Sequence, residues 1–193
     1  MEPKRIKRFR EVASKRQAGF VVVLEDIHDP HNAAAILRTC EAFGIQNVHF
    51  IFEQEKYYNP RQVGKVSSSS ANKWLDFEIF RSSKACLKKL KRQKYEIVAT
   101  ALNPKAENVL KAKLTAKKIA LVIGNEHRGV SGEVLKKADR ILMLPMRGFV
   151  QSLNASVTAA LFIYEISRQR AGNKKYRLNE AAQKRLVADF KKR

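Results

Sequence analysis

The chain of 193 residues carries 39 lysines and arginines against 18 aspartates and glutamates, a formal net charge of +21, at 45% hydrophobic composition. Length and apolar content suit one globular domain with its own core, residues 1–193, and exclude a purely disordered polypeptide. The charge excess is larger than solubility alone selects for and points to a polyanion, because each phosphate neutralised by Lys or Arg releases condensed counterions. A membrane is the weaker candidate: the basic ends lack the Trp/Phe/Leu face of an interfacial helix. No run reaches the roughly 18 apolar residues of a spanning segment. No signal-type apolar segment (h-region) follows the opening MEPKRIKRFR, so a cytoplasmic location is expected.

In chain order, residues 4–17 (KRIKRFREVASKRQ) form the first helical pattern, a thin apolar stripe amid Lys and Arg, and residues 174–193 form the last. These basic segments, taken as 1–18 and 168–193, read as nucleic-acid-facing appendages or as plain solvated faces. Between them, FVVVLED (20–26), NVHFIF (47–52), YEIVATAL (95–102), KIALVIG (118–124) and RILMLP (140–145) are expected strands. HNAAAILRTCEAFG, SKACLKKLKRQ, SGEVLKKA and NASVTAALFIYEISRQR are expected helices. Continuous Val/Ile/Leu strands alternating with helices predict an α/β fold with a mainly parallel sheet covered on both faces. The tract QVGKVSSSSANKW (62–74) has little periodicity and is expected to be a mobile surface loop. Cys40 and Cys86 fall inside helical patterns without CxxC spacing and read as small hydrophobes.

Three turns carry candidate chemistry. After the first strand, Asp29-Pro30 is an N-cap and first-turn pair. Ala33, Ile36, Leu37, Cys40 and Phe43 then form the core stripe, and Arg38 lies about 100° off it. Asn32 occupies the first turn, near the carboxyl edge of the sheet where α/β proteins bind ligands. Arg38 could equally pair with Glu41, and Asn32 could be part of a cap. In the second turn, IGNEHRGVSGEVL, Gly124, Gly129 and Gly132 crowd together and present the acid Glu126. In the third, MRGFVQSLNAS, Gly148 precedes Gln151, Ser152 and Asn154 at the start of an apolar helix. Free N–H groups at such a helix start suit an anion or a developing oxyanion; the alternative is a simple cap contributing about 1 kcal/mol. Neither a GxGxxG after the first strand nor a Walker GxxxxGK[ST] is present, so neither standard nucleotide site is expected. His28 and His31 near Asp26 and Asp29 lack a partner cluster, and no metal site is expected.

In this order and spacing, HNAAAILRTCEAFG, IGNEHRGVS and LPMRGFVQSLNASVTAA resemble the motifs of the SpoU (TrmH) family of the SPOUT superfamily, S-adenosylmethionine-dependent RNA ribose 2′-O-methyltransferases. The resemblance spans about residues 20–168. It implies a C-terminal α/β trefoil knot, against the general rule that chains are unknotted, and a homodimer with the site near its interface. It assigns Arg38 as the catalytic residue and Asn32 as its companion near the target ribose. Glu126, Ser152 and Asn154 belong to the second and third motifs, with Glu126 expected to serve site architecture by tethering Asn32 or the loop. The S-adenosyl-L-methionine would be held by backbone around Thr100, Gly124, Leu144 and Leu153. The N-terminal RFREVASKRQ followed by VVVLEDIHDPHN resembles the tRNA branch, which methylates the D-loop guanosine at position 18. A ribosomal RNA ribose methyltransferase and a non-catalytic RNA-binding or ribosome-assembly protein are the alternatives. Arg8, Arg10, Arg168, Arg170, Lys174, Lys175 and Arg177 are the expected phosphate contacts on RNA.

Overall fold

The computed structural model describes residues 3–63 and 70–193. Its centre is one seven-stranded, wholly parallel sheet in the order β3-β2-β1-β6-β4-β7-β5. The strands are β1 (Phe20–Glu25), β2 (Asn47–Ile51), β3 (Asp76–Phe80), β4 (Glu96–Thr100), β5 (Glu107–Asn108), β6 (Ile119–Ile123) and β7 (Arg140–Met143). Among the described residues six α-helices accompany them: α1 (Pro3–Lys15), α2 (Pro30–Ala42), α3 (Ser83–Arg92), α4 (Gly132–Lys137), α5 (Ala155–Arg170) and α6 (Glu180–Phe190).

Strand alternation separates two cores. Phe20, Val22 and Leu24 face one side, where Ile36, Leu37 and Cys40 of α2 and Phe162, Ile163 and Ile166 of α5 pack. Val21 and Val23 face the other, against Cys86, Leu87 and Leu90 of α3 and Val134 of α4. Both faces are therefore covered, as the unbroken apolar strands require. Each fully buried Leu, Ile or Phe contributes roughly 1.5–3 kcal/mol. Burial also pushes the Cys86 thiol up to about 12, the behaviour of an inert packing cysteine.

The terminal basic segments are less independent than their charge suggests. Phe9 and Ala13 of α1 pack with Leu186 and Phe190 of α6, and the Trp74 ring lies 5.7 Å from Phe9 and 5.5 Å from Phe190. The stripes that looked thin in each segment cover one another. The C-terminal segment is not one helix from 174: residues 174–176 form a 3₁₀ turn, and α6 begins only after Asn179 caps it.

Three further features depart from the sequence reading. The edge strand β3, DFEIF, passes unnoticed in sequence because its half-exposed residues give no apolar run; β5, two residues long, carries no pattern at all. The expected mobile loop over 62–74 is anchored at both described ends. Val63 and Ala71 are buried. Asn72 Nδ2 donates to the carbonyls of Pro60 (3.2 Å) and Val63 (2.9 Å), and residues 71–73 form a 3₁₀ turn. Residues 64–69 of that tract lie outside the described residues. Among the described residues no helix is long and apolar enough to cross a membrane.

Candidate active site

At the carboxyl edge of the sheet, the turns after β4, β6 and β7 converge on a crevice of about 440 Å³. Thr100 and Leu102 come from the first turn, Gly124, Asn125 and Glu126 from the second, and Leu144, Ser152 and Leu153 from the third. That size lies within the range of about 300–1,000 Å³ usual for small-molecule sites, and its position is the one α/β sheets reserve for ligands. All four expected cofactor-holding positions, Thr100, Gly124, Leu144 and Leu153, line it.

The turn after β6 is closed on itself. Asn125 N donates to Gly129 O (3.0 Å) and Gly129 N to Asn125 O (2.9 Å). Gly129 has φ +68°, in the left-handed region that favours glycine. At Gly124 the reason for glycine is proximity: a Cβ there would lie 2.2 Å from the Gly129 carbonyl carbon and 2.3 Å from Val130 N. The Asn125 side chain is buried and accepts from His127 N (2.9 Å) and Arg128 N (3.0 Å).

Glu126 reaches from this turn to the start of α2. Its carboxylate accepts from His28 N (2.8 Å), Asp29 N (3.2 Å) and Asn32 Nδ2 (2.8 Å). A carboxylate can only accept, so the Asn32 amide must present its NH₂ group there and its oxygen elsewhere. That oxygen accepts from Asn154 Nδ2 at 3.0 Å. Asn154 in turn must present its own oxygen to α5, where it caps Ser156 N at 2.8 Å. One acceptor-only group thus orients two amides in series and joins the starts of α2 and α5. The cap on α5 is real, but it is one half of Asn154's work.

Asn32, Glu126 and Asn154 are brought together, and Ser152 stands on the adjoining wall of the crevice. Arg38 is not part of this cluster. It is exposed on α2, about 9 Å along the helix axis from Asn32. Nor does it pair with Glu41, whose carboxylate takes Arg16 at 3.3 Å. Among the described residues no partner is recorded for the Arg38 guanidinium.

Of the expected phosphate contacts, Arg8, Arg10, Lys174, Lys175 and Arg177 are exposed. Arg168 is held by Glu165 through Nε (2.9 Å) and a terminal nitrogen (2.7 Å), which raises its pKa further. Arg170 requires correction. It is 2% exposed, its guanidinium donates to the carbonyls of Ala18, Gly19 and Lys117, and it lies over the rings of Phe20 and Tyr176. Burial lowers its pKa to about 10. The side chain staples the end of α5 to the loop before β1 and has no face left for a phosphate. In sequence it is one more cation in a basic tail, and only its place on the inner side of α5 distinguishes it.

Residues outside the expected site set, His28, His127 and Asn125, also stand here. His28, His127 and Glu126 share a second cavity with Asn32 beside the crevice. Asn125 had a visible signal, its place inside the glycine-rich turn. Glu55, whose carboxylate accepts from His28 Nδ1 at 2.9 Å, had none, because its partners lie on loops distant in the chain.

The sequence model of the SpoU rRNA Methylase family matches residues 19–164. The chain is 36% identical over 194 residues to the tRNA (guanosine(18)-2′-O)-methyltransferase of Thermus thermophilus, covering 96% of this chain and 95% of that one. It is 34% identical over 192 residues to the enzyme of the same description from Escherichia coli, covering 97% of this chain and 82% of that one. The crystal structure of the Aquifex aeolicus TrmH/SpoU tRNA modifying enzyme superposes with a TM-score of 0.87 at 33% identity, covering 97% and 94% of the two chains. With its parallel sheet, convergent crevice and motif turns, the chain belongs to the SpoU methylase family.

Proposed function

We propose that the protein transfers a methyl group from S-adenosyl-L-methionine to the ribose 2′-oxygen of guanosine 18 in the tRNA D-loop. The observation that carries the chemistry is the bonded series Glu126–Asn32–Asn154 at the rim of a cofactor-sized crevice. The tRNA assignment follows the Thermus and Escherichia relatives, whose descriptions name that nucleoside and whose similarity runs through both basic ends.

The residues present fit the cofactor. The crevice combines an apolar slot of Leu102, Leu135, Leu144 and Leu153 with backbone from three turns, a suitable wall for a purine and its ribose. When bound, the cofactor supplies an electrophilic sulfonium methyl, so the protein need only orient, desolvate and manage a proton. Asn32 and Asn154, their orientations fixed by Glu126, frame the edge from which a ribose can approach. Arg38 steers the RNA phosphate beside that ribose. A guanidinium keeps its proton in proteins and is a poor base, so its contribution is electrostatic and the hydroxyl proton leaves to the phosphate or to water.

Two features of the family belong to the same reading: a C-terminal trefoil knot, against which the cofactor would sit, and a homodimer. Val157, Leu161 and Tyr164 of α5 are exposed apolar residues on one helix, with Phe43 against Tyr164 at 6.2 Å. Such a patch suits a second copy of the chain. The basic α1 and the segment from Lys174 onward are RNA-binding appendages of a single domain, and the enzyme acts in the cytoplasm.

Incubation with radiolabelled S-adenosylmethionine and an unmodified tRNA transcript tests the activity: label should enter the RNA, and its absence would reject the assignment. The RNA footprint has its own test. Replacing Lys174 or Arg177 by alanine should weaken binding across RNA sequences and flatten the plot of log K against log salt by about one unit. An unchanged slope would remove that residue from the contact surface.

A further inference from the structure

Glu126 clasps the turn after β6 to the turn after β1. A second clasp runs through the turn after β2, which the methyl-transfer reading does not use. Its foundation is Asp26, a non-glycine residue at φ +50° and buried. That backbone conformation is costly for an L-residue and persists where surroundings fix it. Here they do. Asp26 Oδ1 accepts from the backbone N–H groups of Glu53 (2.8 Å), Gln54 (3.0 Å) and Glu55 (3.1 Å), while its carbonyl accepts from Asn125 Nδ2 (2.8 Å).

The turn so anchored presents Glu55. One carboxylate oxygen accepts from His28 Nδ1 at 2.9 Å. The other accepts from an Arg128 terminal nitrogen at 2.6 Å and from Asn125 Nδ2 at 3.3 Å. His28 stands four residues before Asn32, and Asn125 and Arg128 line the cofactor crevice. One side chain therefore holds both sides of the reaction centre. We propose that Glu55 is a positioning residue for methyl transfer, fixing the angle between the turn that carries Asn32 and the turn that walls the crevice.

The electrostatics agree with the geometry. Hydrogen bonds from His28 and Arg128 hold the Glu55 carboxyl below its usual range. The hydrogen bond to Glu55 raises the His28 pKa, with Glu126 adding to the rise and Arg128 opposing it. The His127 ring, 5.8 Å away, completes the surroundings of His28. Protonated His28 makes the clasp an ion pair, and neutral His28 leaves a hydrogen bond.

This assignment rests on the ribose methylation reading, and the test separates the two. Single-turnover transfer to a tRNA transcript, the cofactor dissociation constant by calorimetry, thermal melting and the His28 ring titration by NMR are compared in wild type, Glu55→Ala and Glu55→Gln. Glu55→Ala should slow transfer by about 10–100-fold, the cost of a misplacement near 1 Å, with cofactor affinity and melting near those of the wild type. Glu55→Gln should fall between, because its amide oxygen still accepts, and should move the His28 titration to lower pH. Wild-type transfer rates in Glu55→Ala would overturn the proposal, as would an unmoved His28 titration in Glu55→Gln. A loss of rate that merely follows lost melting temperature or cofactor affinity would also overturn it. A wild type that does not methylate would sink the functional reading and this assignment with it; a methylating wild type matched by Glu55→Ala sinks only the assignment.

Discussion

Gly124→Ala is expected to abolish cofactor binding. The added methyl would stand 2.2 Å from the Gly129 carbonyl carbon, 2.3 Å from Val130 N and 2.4 Å from Gly129 O, all of them backbone atoms. A flexible side chain could swing aside, but this backbone is tied by the paired hydrogen bonds between Asn125 and Gly129 and cannot move without opening the turn. Overpacking of this kind costs on the order of 3 kcal/mol. At about 2–4 °C per kcal/mol for a domain of this size, melting should fall by roughly 6–12 °C. Because the turn both lines the crevice and carries Glu126, the S-adenosylmethionine dissociation constant should rise by more than about 100-fold, or about 2.7 kcal/mol. Gly132→Ala is the control. Nothing lies within 4 Å of its added Cβ, and the site is in the first turn of α4. That variant should bind cofactor normally and be as stable as the wild type or slightly more so, as alanine is the better helix former. Equal behaviour of the two variants, measured by calorimetry and melting, would remove the turn after β6 from the cofactor site.

Arg38→Ala is expected to lower kcat/KM for tRNA by about 10³-fold, the scale seen when one charge-stabilising donor is removed from a reaction centre. Cofactor affinity should be untouched, since Arg38 lines neither the crevice nor the cavity beside it. Stability should be untouched as well, because the side chain is exposed and among the described residues holds no recorded partner. Arg38→Lys distinguishes the modes of action. A planar guanidinium grips a phosphate through two parallel hydrogen bonds, which an ammonium cannot reproduce. If steering through that fork is the contribution, the lysine variant stays impaired with an unshifted pH profile. Recovered activity with a displaced profile would argue for a proton-transfer role instead.

The layered α/β architecture was legible because five strands are continuous apolar runs, and only a sheet buried on both faces accounts for them. The edge strand β3 was not legible, since half-exposure replaces its apolar run with an irregular mixture. Within the site, the convergence of Thr100, Gly124, Leu144 and Leu153 on one crevice and the Glu126 tether to Asn32 were readable from the motif turns together with the family resemblance. Cap chemistry at Asp29 and Asn154 was readable locally, but the bond between Asn32 and Asn154 spans 122 residues of sequence and needed the packing of α2 on α5. Arg170 shows the opposite error. Charge composition says nothing about which cation of a basic helix turns inward, and this one faces backbone carbonyls and two aromatic rings. Glu55 carried no signal, because its anchor is the strained Asp26 and its partners come from two other turns.

The central claim is that the converging turns place a donor methyl against one ribose oxygen steered there by Arg38. The most direct measurement compares methyl transfer from labelled S-adenosylmethionine to two tRNA transcripts, one unmodified and one carrying 2′-deoxyguanosine at position 18. The account predicts label at that single nucleotide in the first and none in the second. Equal labelling of both, or a methyl group mapped to a base, would contradict it.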